Sequence, residues 1–258
     1  MERNENAIIL GAQHVEKNLP AAVQEIEKHA KEGDTIFLEI TQKWLEVFKE
    51  AHRTESDLNS AINKKLDEIA EEIIAKSGKF GKDKGFRDEV KERAYKFYDD
   101  MKFFGGMAIS AMKKNVEIIP LDPPLHDDFD KKWIKRNAEI MSEFKHQEIS
   151  LRECEIQLEK LRFGDMLVNV PAREKLWIKK IIKNYNKERQ NFIGIGAGHA
   201  IEITKELHKN GIKGKISFIS HRPSFDIMRE HVRAAYAARK KASLERRRKM
   251  GLRPAKPR

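Results

Sequence analysis

The sequence predicts an α/β fold: a mixed, largely parallel sheet from two pseudo-repeated β-G-x-x-H-α-β units, with a central helical insert and long helices. Three observations carry that expectation. The order strand, G-A-x-H, helix, Gly, strand occurs twice, near the two ends of residues 7–220. Such β-α-β units imply parallel strands joined by right-handed crossovers and covered by helices. Between the two occurrences, apolar residues recur mostly every three or four positions, the helical period.

The elements follow in order. Ala7–Leu10 is a short apolar run that reads as a buried strand, and Gly11-Ala12-Gln13-His14 follows it. Asn18 is placed to cap a helix with Pro20 in its first turn. Val23, Ile26 and Ala30 share one face of that helix, and Gly33 ends it. Thr35–Ile40 (TIFLEI) is a second strand with one charged residue, Glu39. Leu58, Ile62, Leu66, Ile69 and Ile73 form the apolar stripe of a helix starting after Thr54 or Ser56. Ser77–Gly85 reads as a loop, with helical patterns resuming over Phe86–Tyr98 and Gly106–Lys113. Trp44, Phe48, Phe97, Phe103 and Phe104 read as core.

Val116–Leu121 is a third strand, closed by Asp122-Pro123-Pro124. A long helix from about Asp128 to Arg162 follows, either continuous or as two helices meeting near His146. Gly164–Val170 reads as a turn with a short extended piece, and Pro171 starts a helix to about Asn186. Asn191–Ile195, then Gly196-Ala197-Gly198-His199, a helix from about Ala200 to Lys209, Asn210-Gly211 and the strand Lys215–Ser220 repeat the opening pattern. Phe225–Met250 is helical in pattern and increasingly basic, and Gly251–Arg258 reads as disordered.

The 258 residues are 40% hydrophobic and 36% charged, with a mean hydropathy of −0.68. That composition excludes collagen-like and membrane-embedded classes, and no apolar run approaches the roughly 20 residues of a membrane span. MERNENAIIL lacks the long apolar stretch of a secretory signal. The single cysteine, Cys154, has no internal disulfide partner and reads as packing, so a reduced, cytoplasmic location is expected. The net charge of +11 is uneven: residues 229–258 hold 12 Lys/Arg and 2 Asp/Glu. The expected division is therefore an α/β domain over 1–228, with a helical insert over about 44–104, and a basic C-terminal helix and tail over 229–258.

With 14 Gly and 9 His, about half a G-x-x-H match is expected by chance, and the chain has two. Each lies between a strand and a helix. Ligands of open α/β sheets bind beyond the carboxyl ends of the strands, so His14 and His199 converge there if the two units are adjacent. Glu39 falls at the end of a strand returning to the same rim. A buried carboxylate needs a cation, a metal or a hydrogen-bond donor. Two imidazoles and a carboxylate suit a divalent metal with an open position, and equally suit metal-free acid–base work. Arg136 and Asn137 are further candidates, because Asn137 interrupts the apolar stripe of the long helix and a neighbouring Arg can meet a Glu or an oxyanion.

GAQH at 11–14, FLEI with Glu39, VEIIPLD at 116–122, RNAEIM at 136–141 and GAGH at 196–199 occur in the order seen in the TraB/TIKI superfamily, which the chain resembles over residues 11 to about 220. That group includes plasmid pheromone-shutdown proteins, the TIKI metalloproteases and, more distantly, erythromycin esterases. The resemblance implies two related halves around one site and hydrolysis of a peptide, amide or ester bond. It also implies a site of His14, Glu39, Arg136, Asn137 and His199, with a divalent metal (Mn, Co or Zn) on His14, Glu39 and His199. The chain departs from the family in having Glu202 where a Gly commonly follows the second His, and a basic segment where pheromone-shutdown members often carry membrane spans.

Other residues read as structural. Glu202 suits a solvated first helical turn, Asp122, His126, Asp127 and Asp128 suit a turn and helix cap better than a metal cluster, and His221 lies at a strand end near the repeat position of Glu39. Two rival functions stand beside a hydrolase acting on a peptide or small molecule. One is a non-catalytic nucleic-acid-binding protein using 229–258, which carries Arg246-Arg247-Arg248-Lys249 but only Tyr236 for stacking. The other is a scaffold whose helical insert engages a protein partner.

Overall fold

The computed structural model describes residues 7–12, 18–123, 125–164 and 169–218; the side chains of 12, 125–127, 129, 162, 163 and 218 fall outside that description. Five strands form one sheet: β1 (Ala7–Ala12), β2 (Thr35–Leu38), β3 (Glu117–Pro120), β4 (Asn191–Gly196) and β5 (Gly214–Phe218). Their order is β3-β2-β4-β1-β5, and every pairing among the described strands is parallel. The fold is α/β with a parallel sheet and several helices.

Side-chain alternation splits the sheet between two cores. Ile8, Leu10, Ile36, Leu38 and Phe192 face α1 (Leu19–His29), α2 (Gln42–Arg53), α3 (Leu58–Ala75) and α5 (Tyr98–Lys113). Ala7, Ile9, Phe37, Ile193 and Ile195 face α8 (Val170–Asn184) and α9 (Ala197–Lys209). A third cluster joins α3 to α4 (Lys84–Tyr95) and α6 (Leu125–Lys145) through Ile73, Phe86, Val90, Ile134 and Ala138. Residues 44–104 thus share a continuous apolar cluster with the sheet. Among the described residues no helix is long and apolar enough to cross a membrane.

The connections from β1 and β4 leave in opposite directions. β1-α1-β2 passes over β4, and β4-α9-β5 passes over β1. Right-handed crossovers running opposite ways along one sheet place their helices on opposite faces, as α1 and α9 are placed. β1 and β4 lie side by side, with Gly11 opposite Ile195 and Ala12 opposite Gly196.

Several boundaries differ from the sequence expectation, each for a local reason. Asp57 caps α3 by accepting from Ser60 N at 3.0 Å, and Asp83 caps α4 by accepting from Phe86 N at 2.6 Å. Asn18 occupies the cap position of α1 without a side-chain capping bond. α5 begins at Tyr98 and runs through Gly105-Gly106. These glycines serve close packing: a Cβ on Gly106 would stand 2.6 Å from Leu19 Cδ1. Of the two forms expected for the long helix, the two-helix one is found, with α6 and α7 (Leu151–Gly164) separated near His146 by Gln147 at φ +59°. Ser150 and Glu153 form a capping box that starts α7, with Ser150 N donating to Glu153 Oε2 at 3.0 Å and Glu153 N to Ser150 Oγ at 3.3 Å. His14, His221, the extended piece expected before Val170, the helix expected over 225–250 and the tail 229–258 lie outside the described residues.

Phe192 is fully buried at the centre of the sheet. Phe192→Ala is expected to lower unfolding free energy by about 3–5 kcal/mol, read as a drop in the urea midpoint with little change in slope.

Candidate functional site

The adjacent β1 and β4 form a topological switch point, where a crevice opens outside the carboxyl ends of the strands. Three chain segments meet at this edge. Glu39 follows β2, Asp122 follows β3, and Gly196 ends β4 at the N-cap of α9. The ladder continues past the strands, with Glu39 N donating to Gly194 O at 3.1 Å and Asp122 N to Ile40 O at 3.0 Å. Backbone pairing therefore sets where both carboxylates emerge.

Glu39 is central. Its Oε2 accepts from Gly196 N at 2.7 Å, an amide at a helix N-terminus, where a negative charge is favoured. Its Oε1 lies 3.3 Å from Arg173 Nη2 and 3.7 Å from His199 Nε2. His199, the third residue of α9, is buried, and its Nδ1 lies 2.7 Å from Glu174 Oε1. A carboxylate on Nδ1 sets the tautomer with the proton on Nδ1 and turns Nε2 toward Glu39. Trp177 packs its ring edge-on to the imidazole, 4.9 Å between centroids.

Arg173, Glu174 and Trp177 all come from the first turns of α8. Arg173 Nη2 lies 3.1 Å from each oxygen of Asp122, and its Nε donates to Asp122 Oδ1 at 3.2 Å. The guanidinium also sits over the Trp177 ring, 4.7 Å from its centroid. Trp177 Nε1 donates to Asp122 Oδ1 at 2.9 Å. Burial works against the charge on Arg173, but Asp122, Glu39 and Asp130 outweigh it and raise the pKa above the usual guanidinium value. Lys180, one turn further along α8, donates to the Pro120 carbonyl, and burial holds its pKa below the ordinary lysine value.

Comparison with protein-family models, curated proteins and solved structures returned no match. The chemistry of the site is therefore read from its own residues.

Of the residues singled out in the sequence, Glu39 and His199 come together. His14 lies outside the described residues; Ala12, two residues before it, is registered against Gly196. Arg136 is not brought to Glu39. It is exposed on α6, pairing with Glu139 at 3.1 Å and donating to Gln157 of α7 at 2.6 Å. Asn137 is buried on the same helix, and its Oδ1 has no hydrogen-bond partner among the described residues. Asp122, expected to serve a turn or cap, is instead the buried acceptor for Arg173 and Trp177. Cys154 is buried, and burial pushes its thiol pKa up.

Arg173, Glu174 and Trp177 escaped sequence reasoning. A signal was present: Val170, Glu174, Trp177 and Ile181 are the buried residues of α8, at helical spacing. A carboxylate in that stripe needs a partner, just as Glu39 does in its strand. Among the described residues, no group of three or more His, Cys, Asp or Glu could hold a metal ion.

A cavity of about 390 Å³ opens beside Glu39, Asp122 and Arg173, walled on its other sides by α2, α3, α5 and α6. Glu72 lies on its lining, hydrogen-bonded to Lys131 and Lys76, which hold its carboxyl well below the usual value, at about 2.

Asp122→Ala leaves a buried guanidinium short of its main counter-charge and the Trp177 N–H without its acceptor. The expected loss of stability is about 3–5 kcal/mol, and Asp122→Asn is expected to fall between that variant and wild type in urea unfolding. The folded-state pKa of Glu72 lies below its ordinary 4.5. Its stabilising contribution is therefore full above that value and is lost as pH falls toward about 2. Glu72→Gln should flatten the acid limb of the stability–pH curve over that window. Carboxyl-carbon NMR should show Glu72 titrating near 2 in the wild type.

Proposed function

We propose that the chain is a metal-dependent hydrolase of the TraB/TIKI type, cleaving a peptide, amide or ester bond at a site of His14, Glu39 and His199. The observation that carries this reading is the chain of contacts Glu174–His199–Glu39 at the carboxyl edge of a parallel sheet, beside a cavity. We read the two β-G-x-x-H-α-β segments as a pseudo-repeat. Support comes from the adjacency of β1 and β4 and from their crossovers, which leave in opposite directions.

The described donors suit half of a metal site. His199 Nε2 and Glu39 Oε1 are 3.7 Å apart, compatible with two bonds of about 2.0–2.2 Å to one ion. Glu174 on Nδ1 is the kind of outer carboxylate that orients a ligating histidine. His14 is the proposed third donor. A bound divalent ion would supply Lewis acidity and lower the pKa of a bound water. The chain's own residues do the remaining work. Glu174 fixes the imidazole, and Gly196 N–H and Arg173 fix Glu39. In the metal-free form, with no ion on it, the Nε2 of His199 is placed to take a proton from an attacking water and return it to the leaving group. Arg173, with no contact from Arg136, is the cation that positions Glu39.

A metal-free His–Glu mechanism is the second reading. It is favoured by the engagement of both Glu39 oxygens, Oε2 with the Gly196 amide and Oε1 with Arg173.

Turnover of ester and peptide substrates by wild type, His199→Ala, Glu39→Gln and Glu174→Gln tests the proposal. The first two variants are expected to lose about 10³-fold or more, and Glu174→Gln about 10–100-fold. Loss of activity on chelation and recovery with Mn²⁺, Co²⁺ or Zn²⁺ supports the metal-dependent form; unchanged activity supports the metal-free form. Equal turnover in wild type and His199→Ala would overturn both.

A further inference from the structure

We propose that the outer face of α8 docks on an anionic lipid surface. This face is turned away from the side of the helix that carries Glu174 and Trp177, so the hydrolase reading is not needed for it.

α8 carries five Lys/Arg and one carboxylate, Glu174. Val170, Glu174, Trp177 and Ile181 bury one side of the helix, and Glu174 is engaged with His199. Two of the cations also turn inward, Arg173 to Asp122 and Lys180 to the Pro120 carbonyl. The other three, Lys175, Lys179 and Lys183, are exposed. Spaced by four residues, they form one row along the outer face, with Leu176 and Ile182 at its two margins. No carboxylate of α8 is exposed, and none of the three lysines has an ion-pair partner among the described residues. The other helices differ. Each of α1 to α7 exposes at least one carboxylate, and in α9 Glu206 pairs with Lys209. Like charges four residues apart repel along a helix, and an external anionic surface relieves that repulsion.

The residue types select the surface. Proteins read or stack bases with Arg, Asn, Gln and aromatic side chains, and the row and its margins hold none of these. Protein–protein interfaces are depleted of lysine at their core, whereas Lys179 lies at the centre of this face. A bilayer with anionic headgroups suits both components. Its negative surface potential attracts the lysines, and aliphatic side chains gain by entering the boundary between headgroups and acyl chains. Leu176 is 48% exposed and Ile182 37%, two of the five large apolar side chains left so open among the described residues. The lysine stems add apolar surface while their ammonium groups stay at headgroup level.

Co-flotation of the full chain with phosphatidylcholine vesicles, with and without phosphatidylserine, tests the surface. Binding is expected only where phosphatidylserine is present. Residues 229–258 are also basic, so two readouts are local to α8. The triple variant Lys175→Gln/Lys179→Gln/Lys183→Gln is expected to bind about 100-fold more weakly, roughly fivefold per lysine. Leu176→Ser/Ile182→Ser is expected to bind about tenfold more weakly. Circular dichroism should be unchanged in both. In a Cys154→Ala background, an environment-sensitive dye on Leu176→Cys should shift to the blue on these vesicles. The same dye on Gln24→Cys of α1, on the opposite face of the sheet, should not. Equal binding to both vesicles, undiminished binding by the triple variant, or a bound chain whose dye at position 176 does not shift overturns the proposal. Tighter binding to a DNA duplex or to polyglutamate than to the vesicles, lost in the triple variant, overturns it in favour of that partner.

Discussion

The edge of the sheet depends on one ion, the carboxylate of Glu39. It sits at a strand end with little access to water, and a buried charge persists only when paired and hydrogen-bonded. Here the pairing comes from two directions. The amide of Gly196 offers its N–H from the head of α9, and Arg173 reaches in from α8. The carboxylate thus ties β2 to β4 and to both helices of one face. The imidazole of His199 acquires its orientation from the same arrangement, because Glu174 holds its other side.

Arg173 solves a matching problem for Asp122. A guanidinium fork matches the geometry of a carboxylate, and its flat face stacks on an indole. Asp122, Arg173 and Trp177 satisfy one another in this way. Glu39 and Asp130 also act on Arg173 and help hold its charge. A cluster of this kind stabilises weakly when intact and destabilises strongly when broken. Its value here lies in holding Glu39 in one position.

Much of the edge was legible in the sequence because strand periodicity and G-x-x-H turns are local signals. TIFLEI announces both a strand and the anomaly of Glu39, and GAGH announces the start of α9. Asn137 looked equally anomalous by the same reasoning; it is buried on α6, and its Oδ1 has no hydrogen-bond partner among the described residues. Which side of a helix meets which neighbour is decided by tertiary packing, not by spacing. Arg173 reads as an ordinary helical cation until β3 delivers Asp122 to it across 51 residues of chain. Boundaries were missed where side-chain geometry overrode propensity. The helical pattern was read as resuming only at Gly106, but α5 already runs through Gly105 and Gly106, where Leu58, Phe48 and Leu19 press against it.

The interlocked crossovers have a consequence for how the molecule is made. β1 lies between β4 and β5, so among the described strands it has no neighbour until residues 191–218 exist. On the ribosome, β1 would wait with its edges open until those residues emerge. Such long-range pairing slows collapse to the native topology and exposes sticky surface on the way. The early helices α1, α2, α3 and α5 share a core with one face of the sheet, so in the interval they can cover that face of β1 while its hydrogen-bonding edges stay open.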